Sequence, residues 1–343
     1  MKQIRVMLVD DSPVFISILE SAIEKEPNMQ VAGKANNGLD ALDMALKLKP
    51  DVIICDVQMP KMSGIEFLKR LLQKYQVPVV VVSSTPGVTL TALNNGAVDF
   101  IAKPAATEPR AEFIQRVITT INTAASSNMG AKMAVRKEQK PPSAAGPLLR
   151  APSDFVVAIG ASTGGTDAIL AVVRDLPENF PGTVVTQHMP AGFTAMYAAR
   201  LNKECKMKVD EAKDGMRLQP GQIILAAGEH QMRLLRDSQG FFVSSKKGPK
   251  VNGHIPSVEV LFESVADVAK NRSIGVILTG MGADGADGLL TMRKAGAFTI
   301  GQDQKTSVVY GMPMMAFNKG AVTKQMPLDQ ITAELIRQVN AVR

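Results

Sequence analysis

Apolar residues in the first 122 positions fall into short runs separated by segments with helical spacing. Strands are predicted at residues 4–9, 30–35, 51–56, 77–83 and 98–102. Helices are predicted between and after them, at about 13–26, 38–48, 64–74, 88–95 and 109–122. Because the runs are almost continuously apolar, as in VPVVVVS, both faces of each strand are expected to be buried. The pattern therefore predicts a parallel five-stranded α/β domain with right-handed crossovers.

The same alternation returns after residue 153. Strands are predicted at 155–160, 183–188, 273–280 and in AFTIGQ, and helices at about 165–174, 192–203 and 257–269, after the glycine-rich loop and at the C-terminus. Between them, GQIILAAG, HQMRLLR and FFVSSKK alternate apolar and polar residues with turns between, which predicts antiparallel hairpins. We expect a doubly wound, mostly parallel α/β domain with a hairpin section.

The segment 123–152 has no periodicity and is rich in Ala, Ser, Pro and Lys. It contains five Lys or Arg against one Asp or Glu, and so carries most of the net charge of +7. A basic patch for DNA or an acidic surface is one interpretation, and a flexible tether is the one we favour. Residues 1–122, 123–152 and 153–343 are thus predicted to be a first domain, a flexible basic linker and a second domain. With no Trp and three Tyr, stacking platforms for nucleic acid are scarce.

No apolar run approaches the roughly 18 residues of a membrane span, and the start MKQIRVMLVDDS lacks a secretory cleavage pattern. Cys55 and Cys205 lie in unrelated contexts, which argues against a disulfide framework or a zinc cluster. We therefore expect a cytoplasmic protein.

Polar residues follow the ends of four strands in the first domain: Asp10 and Asp11, Asp56, Ser83 and Lys103. Parallel sheets place such residues together at the carboxyl edge. Converging carboxylates repel one another unless a cation joins them, and hard oxygen ligands suit Mg²⁺. An Asp pair at a helix start is otherwise merely a cap. The lysine adds a mobile positive charge for anionic oxygens.

The motifs MLVDDS, CDVQMPKMSG, VVSST and KP in this order closely resemble the receiver domain of two-component response regulators, which has a flavodoxin-like fold. The resemblance implies that Asp56 accepts a phosphoryl group from a histidine kinase. It also implies Mg²⁺ ligation by Asp11, Asp56 and the backbone carbonyl of Gln58, with Asp10 in the same pocket. Ser83 and Lys103 would contact the phosphoryl oxygens, and Phe100 would be the aromatic switch residue.

In the second domain, GASTGG follows a strand and precedes a helix. Its glycines could cradle a phosphate at the helix N-terminus, although the dinucleotide and P-loop motifs are absent. Alternatively, GASTG fits G-x-S-x-G, in which Ser162 would be an exposed nucleophile. His188, one of only three histidines, ends the next predicted strand and favours the nucleophile. His230 and His254 lie in the hairpin section and a loop, where surface or substrate contacts are expected.

A carboxylate must hold the imidazole of such a site. Asp284 follows a strand end, whereas Asp287 falls in the first turn of a helix, where an acid complements the helix dipole. We therefore choose Asp284. The order Ser, His, Asp differs from the order in α/β-hydrolases.

GASTGGTDAI, VVTQHMPAGFT, GHIPSVEVLFES, LTGMGADGADGL and GQDQKTSVVYGMP resemble the catalytic domain of chemotaxis protein-glutamate methylesterases. The resemblance covers nearly the whole chain and implies hydrolysis of glutamate γ-methyl esters, and deamidation of glutamines, on the cytoplasmic helices of chemoreceptors. It assigns Ser162, His188 and Asp284 as the triad and the Met281 N–H as an oxyanion donor. The N–H of Thr163, directly after the nucleophile, is a second candidate.

The resemblance further implies that the unphosphorylated receiver covers the active-site edge and that phosphorylation relieves this inhibition. We expect no cofactor for hydrolysis, no nucleic acid partner, no direct membrane insertion and a monomer. Ala226-Ala227-Gly228 and Gln304 depart from the family pattern and bear on receptor choice. Two alternatives stay open: a phosphorylation-controlled binding module, and a serine hydrolase of small esters or amides.

Overall fold

The computed structural model describes residues 3–104, 108–137 and 154–342. The chain divides into two compact units, Met1–Met133 and Ala134–Arg343. Each unit contains a parallel sheet, so the prediction of two α/β domains is confirmed.

The first unit contains a five-stranded sheet in the order β2-β1-β3-β4-β5, with every neighbouring pair parallel. Its strands are β1 (Ile4–Val9), β2 (Met29–Ala35), β3 (Val52–Asp56), β4 (Val79–Ser83) and β5 (Asp99–Ala102). Its helices are α1 (Pro13–Ile23), α2 (Gly38–Leu48), α3 (Gly64–Lys74), α4 (Pro86–Asn94) and α5 (Arg110–Ala125), and helix α6 (Met129–Lys137) crosses the boundary at residue 133. The central strands β3 and β4 are buried along their whole length, as their apolar runs predict.

Helix α6 lies in the segment predicted as a flexible linker. Helix α5 also runs three residues beyond the predicted end at 122. Helix α6 consists mainly of alanine, methionine, lysine and arginine, which are good helix formers, and the linker prediction from overall composition overlooked them. The rest of that segment, 138–152, lies outside the described residues, and its flexibility stays a prediction.

The second unit contains a seven-stranded parallel sheet in the order β15-β14-β13-β6-β7-β10-β8 and an antiparallel sheet β11-β12-β9. Its strands are β6 (Val156–Ala161), β7 (Gly182–Gln187), β8 (Lys208–Glu211), β9 (Met216–Arg217), β10 (Gln222–Leu225), β11 (Gln231–Asp237), β12 (Gly240–Lys246), β13 (Ser273–Ile277), β14 (Phe298–Gln302) and β15 (Lys324–Met326). Its helices are α7 (Gly165–Val173), α8 (Phe193–Glu204), α9 (Val258–Ala269), α10 (Ala286–Lys294), α11 (Met312–Asn318) and α12 (Leu328–Asn340).

The hairpin prediction is right for β11 and β12 and wrong for GQIILAAG. Strand β10 pairs parallel with β7 and β8 in the large sheet. Ile223, Ile224 and Leu225 are fully buried, which is typical of a strand covered on both faces rather than of a half-exposed hairpin. In β11 and β12, by contrast, buried and exposed residues alternate. The short strands β8, β9 and β15 and helix α11 were not predicted.

Helix α9 packs its apolar face on the large sheet, with Val258, Leu261 and Phe262 in one buried cluster with Val156 and Ala158 of β6. A Cβ at Gly160 would lie 2.2 Å from Val258 Cγ1, so only glycine lets the start of α9 approach the end of β6. This contact fixes the first turn of α9 at the carboxyl edge of the sheet. Over the described parts of the chain, we find no helix with the length and hydropathy needed to span a bilayer.

Candidate active site and acidic site of the first unit

Ser162 lies on the sharp turn between β6 and α7. Its N–H donates to Thr279 O (3.0 Å) and its carbonyl accepts from Gly165 N (2.7 Å), so the turn is fixed on both sides. Gly164 has φ +77°, and a Cβ there would lie 2.6 Å from Val308 Cβ. The small residues of GASTGG therefore let the chain turn in a confined space and leave the Ser162 side chain partly exposed.

The loop after β13 runs beside Ser162. A Cβ at Gly280 would lie only 2.7 Å from Ser162 Cβ, which places the next peptide, with the Met281 N–H, close to the serine. We find no hydrogen bond from this N–H to any described residue. Thr163 is buried, and its carbonyl accepts from Thr279 Oγ1 (3.0 Å). Both N–H groups predicted as oxyanion donors thus belong to backbone that adjoins Ser162.

His188 lies on the strand next to Ser162. Ala161 and Gln187 are the last paired residues of β6 and β7, and His188 N donates to Ala161 O (3.2 Å). Ser162 and His188 each follow by one residue, so they are neighbours across two strands about 4.8 Å apart. Gln187 Nε2 donates to the carbonyls of Ser162 (2.9 Å) and His188 (3.3 Å) and links the two strand ends.

The His188 ring is paired at one nitrogen and unpaired at the other. Nε2 lies 2.8 Å from Asp284 Oδ2. Nδ1 is buried and has no hydrogen-bond partner among the described residues. An ionised Asp284 requires the proton on Nε2, which leaves a lone pair on Nδ1. The ring can therefore accept a proton at Nδ1 while Asp284 holds the other side.

The carboxylate of Asp284 lies at the N-terminus of helix α9 and accepts hydrogen bonds there as a capping side chain would. Its carboxylate accepts from the N–H of Val258 (2.7 Å) and Glu259 (3.4 Å), from Ser257 Oγ (2.8 Å) and from Asn252 Nδ2 (3.0 Å). Burial raises its pKa, but the hydrogen bonds and the charge of His188 outweigh burial and lower it to about 2. Asp284 therefore remains an anion at neutral pH.

The structure separates Asp284 from its alternative. Asp287 is 65% exposed and pairs with Lys319, whereas Asp284 is 1% exposed and contacts His188. Of the other histidines, His230 makes a local contact, since its Nδ1 lies 3.1 Å from the carbonyl oxygen of Gly228.

Sequence reasoning missed three residues around the His188–Asp284 pair. Asn252 and Ser257 donate to Asp284, and His254 stacks on His188. All three lie in the motif VNGHIPS, in which His254 was expected to have a surface or substrate-contact role. The signal in the sequence was that these three polar residues cluster around Gly253 and Pro256. Their partners His188 and Asp284 are distant in the sequence, so the contacts could not be predicted.

Glu259, next in α9, is 6% exposed and accepts from Gly285 N (3.0 Å). Burial, with the nearby carboxylates Glu263 and Asp284, raises its pKa from 4.5 to about 7. Between these values the folded state holds a proton that the unfolded state has released, so stability falls as pH rises through this window. At 1.36 kcal/mol per unit of pKa shift, the free energy of unfolding decreases by about 3 kcal/mol across this window.

Glu259→Gln, which cannot ionise, is expected to avoid this loss. The free energy of unfolding of the variant, relative to that of the wild type, should rise by about 3 kcal/mol between pH 4.5 and pH 8. Urea unfolding at the two pH values measures it. An equal difference between the two proteins at both pH values would contradict a raised pKa at Glu259.

In the first unit, three carboxylates converge at the carboxyl edge of the sheet. Ligand oxygens of Asp10, Asp11 and Asp56 lie within 4.8 Å of one another. Asp10 Oδ2 is buried and makes no hydrogen bond within the described chain, and its nearest cation, Lys103 Nζ, is 3.6 Å away. Burial raises the pKa of Asp10, and the charges of Asp56 and Asp11 add to that effect. A buried, unsatisfied acceptor in a group of acids is compatible with Mg²⁺.

Of the other residues predicted for this site, Lys103 contacts Asp56, and Ser83 and Phe100 lie on strands β4 and β5. Lys103 Nζ donates to Asp56 Oδ2 (2.7 Å), and Asp56 Oδ1 accepts from the N–H of Val57 (2.6 Å) and Gln58 (3.3 Å). Burial lowers the pKa of Lys103, but its hydrogen bond to Asp56 and the nearby acids outweigh burial and raise it. Ser83 is buried at the end of β4, where its Oγ accepts from Thr85 N (3.0 Å), and Phe100 is half-buried on β5.

Comparison with known proteins identifies the family to which each part of the chain is similar. Residues 157–335 match the family model of the CheB methylesterase, and residues 6–115 match the response regulator receiver domain. The chain is 46% identical to protein-glutamate methylesterase/protein-glutamine glutaminase 2 of Syntrophomonas wolfei, over 99% of both chains. It is 43% identical to protein-glutamate methylesterase/protein-glutamine glutaminase of Escherichia coli K12, over 99% of this chain and 98% of the relative. The crystal structure of the Thermotoga maritima CheB methylesterase catalytic domain is 36% identical, with a TM-score of 0.53, and the match covers 55% of this chain and all of that one.

Proposed function

The chain belongs to the CheB methylesterase family and carries a response regulator receiver domain, and we propose that it is a protein-glutamate methylesterase activated by phosphorylation. It hydrolyses glutamate γ-methyl esters on chemoreceptors, with release of methanol, and deamidates receptor glutamines. The observation that carries the proposal is the buried His188–Asp284 pair beside Ser162, with the unpaired Nδ1 of His188 on the side away from Asp284.

The proposed reaction is acyl transfer through Ser162. His188 takes the Ser162 proton at Nδ1 as the hydroxyl oxygen attacks the ester carbonyl, and Asp284 stabilises the imidazolium that forms. The N–H groups of Met281 and Thr163 stabilise the oxyanion. The imidazolium returns its proton to the leaving methoxide, and methanol departs. Water then hydrolyses the acyl-enzyme with His188 again as base, and glutamine deamidation follows the same steps with ammonia as the leaving group.

In the receiver, Asp56 accepts the phosphoryl group from a histidine kinase. Asp11, Asp56 and the carbonyl of Gln58 would hold Mg²⁺, with Asp10 in the same pocket, and the bound ion would neutralise charge on the phosphoryl oxygens. Lys103 exchanges its bond with the Asp56 carboxylate for one with a phosphoryl oxygen, and Ser83 donates to another. Phosphorylation thus changes the charge beside β4 and β5, where Ser83 and Phe100 lie, and this change activates the second domain.

Phosphorylation control is tested by methanol release from methylated receptor membranes, with and without a small-molecule phosphodonor and Mg²⁺. The donor is expected to raise the rate by about 5- to 150-fold, the usual range of coupling between two sites. Asp56→Asn removes the phosphoacceptor and is expected to abolish the rise. Asp43→Asn, at an exposed acid on helix α2, is the matched control and keeps the rise. Activation that persists in Asp56→Asn would show that the proposed phosphoacceptor is wrong.

A further inference from the structure

His254 stacks face to face on His188. The ring centroids are 3.7 Å apart and the ring planes differ by 11°. His254 is also held by its backbone, because Val251 and His254 exchange N–H to carbonyl hydrogen bonds of 3.0 and 2.9 Å. Gln231 Nε2 donates to the His254 carbonyl as well (3.2 Å). The ring that covers His188 is therefore carried by a fixed turn.

The same short segment also holds Asp284. Asn252 and Ser257 donate to Asp284 Oδ1. His254 stacks on the ring of His188, whose Nε2 donates to Asp284 Oδ2. The segment 251–257, which we call the histidine loop, therefore contacts both members of the pair by two kinds of interaction. We propose that His254 is a positioning residue for hydrolysis: its ring holds the His188 imidazole in the plane that keeps Nε2 on Asp284 and directs Nδ1 to Ser162.

Such support is needed because the hydrogen bond to Asp284 does not by itself fix the ring. The torsion between Cβ and the imidazole ring has a broad energy minimum, so the ring can swing while it keeps one hydrogen bond. A flat ring in parallel contact blocks that swing, since rotation of His188 would drive its edge into His254. A small misplacement of a general base costs up to about 100-fold in rate.

The charge state of His254 suits this role. Burial and the neighbouring His188 lower its pKa to about 4, with Lys250 acting in the same direction and Asp284 in the opposite one. His254 is therefore neutral at pH 7 and does not repel the imidazolium that His188 becomes during the reaction. The face of a neutral aromatic ring also attracts a cation.

The inference rests on the proposed function and is tested in the full-length protein with His254→Phe and His254→Ala. Phenylalanine keeps a flat face, and alanine removes it. For His254→Ala we expect kcat for methanol release to fall by about 10- to 100-fold, with KM changed by less than about twofold. For His254→Phe we expect kcat within about threefold of the wild type.

A proton NMR experiment provides a readout that a merely structural role would not affect. The proton between His188 Nε2 and Asp284 is expected to give a resolved, far-downfield resonance in the wild type and in His254→Phe. In His254→Ala the resonance should broaden or disappear, because the ring is no longer held. If His254→Ala is too unstable to assay, His254→Leu takes its place, since it fills the space without a flat face.

The proposal is overturned if the alanine or leucine variant keeps wild-type kcat and the downfield resonance. It is also overturned if phenylalanine lowers kcat as much as alanine does. Ser162→Ala and His188→Ala are assayed beside them. Wild-type activity in those two variants would refute the proposed function itself, whereas their inactivity with an active His254→Ala would refute only the positioning role.

Discussion

Ser162→Ala is expected to lower kcat for methanol release from methylated receptors by about 10⁶-fold, as loss of the nucleophile does in other serine hydrolases. Without the hydroxyl there is no acyl-enzyme, and His188 has no proton to take. The variant should remain folded, because the contacts that fix this turn are made by the backbone of Ser162 and by the neighbouring glycines.

Ser238→Ala is the matched control for this experiment. Ser238 is an exposed serine in the turn between β11 and β12 of the same domain, so its loss should leave the rate unchanged. Thermal unfolding of both variants shows whether the fold is intact. Methanol release by Ser162→Ala at the wild-type rate would rule out the proposed nucleophile.

Asp284→Asn is expected to lower kcat by about 10⁴-fold, the loss found when the aspartate of a chymotrypsin-type triad becomes asparagine. Both carboxylate oxygens of Asp284 accept hydrogen bonds, Oδ2 from His188 and Val258, and Oδ1 from Asn252 and Ser257. An amide NH₂ would face donors on whichever side it lies, and in the place of Oδ2 it would also stabilise the wrong His188 tautomer. We therefore also expect a lower melting temperature, because buried donors lose their acceptor.

Asp287→Asn provides the control for Asp284→Asn. It makes the same chemical change three residues further along, at an exposed side chain paired with Lys319, and should keep the wild-type rate. Measurement of kcat and melting temperature for both variants separates the two acids. Equal loss of activity in the two variants would show that Asp284 has no special role.

The strands and their order account for what the sequence could predict of the site. Ser162 and His188 end consecutive apolar strands, and a right-handed crossover places such ends side by side. Asp284 follows β13, which pairs with β6, so its place at this edge of the sheet could be predicted, although its contacts with Asn252 and Ser257 could not. The same reasoning located Asp10, Asp56 and Lys103 in the first domain.

The residues that sequence reasoning missed depend on packing between distant segments. His254 stacks on His188 although the two residues lie far apart in the sequence, and no spacing along the chain encodes that contact. Strand β10 was assigned to a hairpin because three consecutive segments alternate in polarity. Its parallel pairing with β7 depends on burial of both faces, which the four-residue run QIIL does not distinguish from a short hairpin strand.

Val258 belongs both to the hydrophobic core and to the proposed active site. Its side chain fills the space above Gly160, two residues before the proposed nucleophile Ser162, while its N–H donates to the Asp284 carboxylate that contacts His188. Tolerance to substitution at Gly160 is therefore limited by chemistry rather than by stability alone. A methyl group there would displace the start of α9, and the protein could remain folded while Asp284 lost one of the donors that hold its carboxylate in place.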